Sequence, residues 1–162
     1  MFQALWHEHD SICAIVGTSH LEHSLRALLR KYLIDGSTAQ SLLDPAKGAL
    51  GQLHNAASVA YCLGLISKDC KANIETIGLI RNLFAHSIDD VTFSDPKITA
   101  LCNELTVPPN VSPEDPNPEP EVDTPRKKFG AVLSLTSMFL MATALHSVKP
   151  RAAPKLYVGL GE

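Results

Sequence analysis

The chain has 162 residues, a formal net charge of -3 and 45% hydrophobic residues, with aromatics at only 6%. That length suffices for one domain with its own core, and the mild negative charge argues against a broad nucleic-acid-binding surface. Four cysteines (Cys13, Cys62, Cys70 and Cys102) show no CxxC pair and no metal-ligand spacing, so they read as small hydrophobes in a reducing cytoplasm.

The start of the chain carries Trp6, Glu8 and Asp10 and lacks the basic, then apolar, then small-residue order of a secretion signal. From Asp10 to Ile34, apolar residues recur at spacings of three and four, which predicts a first helix. Gly17 interrupts that pattern and marks a kink or a close approach by a neighbouring helix. Gly36 suits the left-handed residue past the helix end. "LLDPAKGALG" reads as a turn and short loop, followed by a second helix from about Leu50 to Leu63. Ser67 is placed to cap a third helix from Lys68 to about Ser87. "SDP" at Ser94 opens a short helix through Leu105, with Pro96 in its first turn.

The charge is unevenly distributed. Residues 1–107 carry 8 basic and 11 acidic side chains, residues 108–125 none and 5, and residues 126–162 carry 6 and 1. The stretch 108–125 also holds 7 of the 11 prolines, and is expected to be a stiff, solvated connector. Thr124 and Pro125 then restart a helix as cap and first residue. From Phe129 to Leu145 this helix is apolar nearly all round, a composition that fits a buried or dimer-interface helix better than a membrane span. No segment reads as a convincing strand. The expected organisation is an all-α helical bundle over 1–107, the acidic linker 108–125, an apolar helix at 126–147 packing on the bundle or a dimer partner, and a basic tail at 148–162.

"IRNLFAHS", Ile80 to Ser87, sets an arginine, an asparagine and a histidine within an apolar helical pattern. Glu75, Leu79, Asn82 and His86 fall on one stripe of that helix, while Ile74, Ile77, Ile80 and Phe84 form the opposite, apolar face. Two accounts stand side by side. In the architectural one, His86 answers the negative end of the helix dipole and Arg81 pairs with a nearby carboxylate. In the chemical one, Arg81 offers a planar fork for phosphate oxygens, His86 exchanges a proton near neutrality, and Asn82 holds the ring or the substrate. That chemistry needs no metal and no cofactor. The other histidines lack metal-binding spacing, and no Gly-rich phosphate loop or helix-turn-helix pattern is visible.

The pieces "SHLEHSLRALLRKYLID", "GALGQLHNAASVAYCLGLIS", "IGLIRNLFAHS", "TFSDPKITALCNEL" and "TPRKKF" together resemble the bacterial mannitol operon repressor (MltR) family, in order and spacing, over roughly residues 10–145. The resemblance implies a self-associating all-helical domain in transcriptional regulators without a standard DNA-reading motif. "RNLFAH" also resembles the R-N-x-x-x-H signature of the HEPN superfamily of helical domains. That resemblance implies, for members active on RNA, metal-independent ribonucleases, with Arg81, Asn82 and His86 as the positions concerned. The expected partners are therefore a second copy of the chain, another regulator protein, and RNA or DNA, with a membrane disfavoured. Arg126, Lys127 and Lys128, with Lys149, Arg151 and Lys155, supply the electrostatic footprint for a nucleic acid, and Glu75 is expected to bond Arg81 or His86.

Overall fold

The computed structural model describes residues 9–87, 90–108 and 122–146. Among them are six helices and no strand: α1 (Asp10–Tyr32), α2 (Ser37–Leu42), α3 (Leu53–Cys62), α4 (Lys68–His86), α5 (Pro96–Glu104) and α6 (Pro125–His146). The all-α bundle expected from periodicity is the fold observed. Residues 109–121 of the expected linker and the basic tail at 148–162 lie outside the described residues.

The core is one cluster to which five of the helices contribute. Leu21, Leu25, Leu28 and Leu29 of α1 meet Ile74, Ile77 and Ile80 of α4, Ile98 and Cys102 of α5, and Phe129, Val132, Leu133 and Leu140 of α6. Helix α3 contributes alanines (Ala56, Ala57 and Ala60), which let its backbone lie close to its neighbours. The largest helix contact is between α1 and α6. Asp10 pairs with Arg126 at one point, and a β-carbon added at Gly17 would meet Leu133 Cδ2 at 2.4 Å. Both pairs are 116 apart in sequence and one heptad separates them, so the two helices run parallel and in register. Gly17 is thus the close approach that its place in a helical pattern suggested. By length and composition α6 could cross a membrane, with a mean hydropathy of 1.5 over its candidate stretch, but half of that stretch is buried in the protein.

Asp10 does more than pair with Arg126. Its Oδ2 accepts the backbone N–H of Phe93 at 2.9 Å, which ties the approach to α5 onto the start of α1. The Phe93 ring lies between Phe84 and Phe129, with centroid separations of 5.0 and 5.1 Å and tilted planes. Such tilted pairs sit in the favourable range for aromatic contacts. On the other side, buried Asn73 clamps one residue of backbone: its Nδ2 donates to Thr106 O at 2.7 Å, and Thr106 N donates to its Oδ1 at 2.9 Å. Both ends of α5 are therefore held against the bundle.

Helix ends follow local chemistry. Ser67 caps α4 by accepting Cys70 N–H at 3.1 Å, and Thr124 caps α6 by accepting Lys127 N–H at 3.2 Å. Helix α3 ends in a Schellman turn: Leu65 N–H reaches Ala60 O and Gly64 N–H reaches Tyr61 O, both at 2.9 Å, with Gly64 at φ 70°. Gly36 does not have the role expected of it. Helix α1 closes at Leu33 in an extended conformation, and Gly36 instead precedes the short helix α2, which the sequence reading missed. At six residues α2 is too short to show an apolar period. The loop after it is compact because Asp44 Oδ1 accepts the N–H groups of Ala46 and Lys47 at 2.9 and 2.8 Å.

The Gly17–Leu133 contact yields a prediction. Gly17→Ala gains helix propensity of about 1 kcal/mol, which offsets the displacement of one leucine methyl. Gly17→Leu overfills the α1–α6 seam and should lower stability by about 2 kcal/mol in urea titrations, with little change in m-value. A Gly17→Leu variant as stable as the parent would show that the two helices do not meet there.

Candidate functional site

Helix α4 presents the stripe read from its sequence. Ile74, Ile77, Ile80 and Phe84 are buried, whereas Leu79 is 54% exposed and Asn82 and His86 are exposed. Phe84 is the anchor: its ring contact with Phe93 fixes the last turn of α4 on the core. Ser87 closes the helix, its hydroxyl donating to Leu83 O at 2.6 Å and its N–H to the same carbonyl at 3.2 Å. His86 is the last helical residue, at the negative end of the helix dipole.

Between this end of α4 and helix α5 lies an open groove of about 430 Å³, lined by Leu79, Asn82, Leu83, His86, Ser87 and Leu101. Three of its six lining residues are leucine, and Asn82, His86 and Ser87 are its polar ones. Arg81 stands beside it. Its Nη1 donates to Asn82 Oδ1 at 3.0 Å, which leaves the amide nitrogen of Asn82 as a donor toward the groove. The Arg81 Nε is buried and, among the described residues, has no hydrogen-bond acceptor. The structure thus links Arg81 to Asn82 and puts Asn82 and His86 on one groove, as three adjoining groups without a carboxylate among them.

Glu75 is elsewhere occupied, and the expectation that it bonds Arg81 or His86 is corrected. Its Oε1 lies 2.6 Å from Lys71 Nζ and 2.8 Å from His54 Nδ1. The Lys71 contact is an ordinary i, i+4 pair on one helix. His54 reaches it because α3 and α4 form a hairpin, in which Gly78 lies against Leu53. Nothing local to His54 in the sequence signals this.

The basic triplet is engaged within the chain. Arg126 pairs with Asp10, Lys127 lies 2.9 Å from Asp123, and Lys128 donates to Asn103 O at 2.9 Å. The Arg126 and Lys128 contacts brace the start of α6 against α1 and α5, respectively. Among the described residues no group of three His, Cys, Asp or Glu side chains is arranged to hold a metal ion.

All four cysteines are free thiols. Burial pushes the Cys70 thiol up to about 11 and the Cys102 thiol up to about 12, Lys128 partly opposing the latter. Burial also raises Cys13, against the attraction of Arg126. Raised thiol pKa values keep these sulfurs protonated and inert at neutral pH.

Two outcomes follow. Phe84→Ala should cost about 3–5 kcal/mol by emptying the core under the motif, while exposed His86→Ala and Asn82→Ala should stay within about 0.5 kcal/mol of the parent in thermal melts. In thiol labelling at pH 8, exposed Cys62 should react rapidly and Cys13, Cys70 and Cys102 only on unfolding. Because the buried thiols titrate higher in the fold than their ordinary value of 9.0, their contribution to stability is complete below that pH and is lost as pH rises through 11 to 12.

No family model matches the sequence, and no curated protein matches it. Among solved structures, a chain of the MtlR–HPr complex from Escherichia coli superposes with a TM-score of 0.56 at 21% sequence identity, over 89% of this chain and 93% of that one. The protein therefore has an MtlR-like fold, the fold its mannitol-repressor resemblance implied.

Proposed function

We propose that this protein is a cytoplasmic, MtlR-type transcriptional regulator that acts through self-association and by binding a partner protein, rather than by reading DNA alone. The observation that carries the reading is the fold it shares with a chain of a complex between MtlR and HPr. An HPr-like protein is accordingly the first partner to try. The groove between α4 and α5 is the contact surface favoured here, since exposed leucine beside a few polar groups suits a protein interface. The triplet Arg126, Lys127 and Lys128, held by contacts inside the chain, offers little for a phosphate backbone, which needs cations free to displace counterions.

Calorimetric titration with HPr from the same organism tests this. The expected result is binding in the micromolar range, on the order of -8 kcal/mol, weakened at least about tenfold by Leu79→Glu. Absence of binding at a protein concentration of about 100 μM would sink the HPr reading.

A second reading rests on the Arg81–Asn82 bond beside His86, the arrangement that a metal-independent HEPN-type endoribonuclease would use. In it His86 takes the 2′-hydroxyl proton as the 2′-oxygen attacks phosphorus, Arg81 stabilises the charge on the phosphorane, and the P–O5′ bond breaks with a proton returned to the leaving 5′-oxygen, giving a 2′,3′-cyclic phosphate and a 5′-hydroxyl without metal or cofactor. Incubation with mixed RNA in EDTA should then give cleavage that Arg81→Ala and His86→Ala abolish. Intact RNA with the parent protein retires the enzyme.

A further inference from the structure

Helix α6 carries two apolar seams, and the bundle uses only one. Leu133 and Leu140, one heptad apart, are 1% and 0% exposed. On the other side Met138, Met141 and Leu145 repeat the a/d spacing of a coiled coil, yet they are 64%, 41% and 78% exposed. No Asp, Glu, Lys or Arg occurs from Phe129 to His146. A second apolar seam on one surface helix is uncommon, because soluble chains rarely leave large contiguous apolar patches in water.

We propose that this seam, Met138–Met141–Leu145, is a two-fold interface with the same seam of a second copy. The proposal rests on the self-association in the function proposed above and names the surface that mediates it. Two observations favour a second copy as the occupant. The first is area: from these exposures, the three side chains offer roughly 350 Å² of apolar surface per copy. Standard interfaces bury about 800 Å² per partner, of which roughly half to two-thirds is apolar, so the patch supplies most of the apolar core of one. The second is charge. A helix without charged side chains along the seam meets its own copy with neither repulsion nor the burial of an unpaired ion.

Two-fold symmetry also fixes which residues face each other. The centre of the seam lies at Met141 and Ala142, and Ala142 is exposed. A residue at the centre meets its own symmetry mate whether the paired helices run parallel or antiparallel.

The test is light scattering and sedimentation of the full chain, with Met138→Glu and Leu145→Glu as variants. In parallel, Ala142→Cys is oxidised in a Cys62→Ser background. The expected results are a dimer for the parent, association weakened toward monomer by at least about tenfold in either variant with unchanged helical circular dichroism, and a disulfide-linked dimer through residue 142. A monomeric parent at about 100 μM overturns both the interface and self-association, leaving partner binding untouched. A dimer that persists in both variants and fails to cross-link through residue 142 overturns this interface alone.

Discussion

The parallel packing of α1 on α6 organises the remaining structure. Helix α6 is apolar on nearly every side, so it must be buried along at least one seam, and α1 accepts it at Gly17, where the absence of a β-carbon admits Leu133. The charged pair at the head of the seam, Asp10 with Arg126, sets the register of the two helices. From that register the rest follows in steps. Phe129 is placed next to Phe93, Phe93 is held by Asp10, and Phe84 closes the stack at the end of α4.

This chain of contacts is what positions "RNLFAH". Part of the motif is architecture: Phe84 fills the core, Leu83 lines the groove, and Ile80 just before the motif is fully buried. Asn82, Ala85 and His86 face outward because the helix has a period of 3.6 and its other side is committed. The motif therefore sits on a rigid element, with Arg81 restrained by Asn82 and with His86 at a helix end. A binding surface on such a support needs no ordering on association, which lowers the entropic cost of contact with a partner.

Several charged groups are engaged within the chain. The cations beginning α6 contact Asp10, Asp123 and the Asn103 carbonyl, and Glu75 takes both Lys71 and His54. Among the exposed apolar side chains of the described surface are those of the α4–α5 groove and of the outer seam of α6. They fall on different helices, so one can serve a second copy while the other remains open to a different protein.

The amino-acid sequence by itself determined the helices and their apolar faces, because periodicity and capping are local: Ser67, Thr124, Pro96 and Pro125 stand at the ends where their chemistry placed them. It also determined which residues of α4 face water, and through motif order it pointed to the fold. Only the tertiary structure decided the pairings. Asp10 with Arg126, His54 with Glu75 and Asn73 with Thr106 join residues far apart in the chain or on different elements, and no spacing rule reaches across such distances. The short helix α2 escaped for the opposite reason, since its six residues are too few to show a period. Glu75 shows the limit most plainly. On its helix it shares a stripe with Asn82 and His86, yet a lysine one turn earlier and a histidine on the neighbouring helix reach it first.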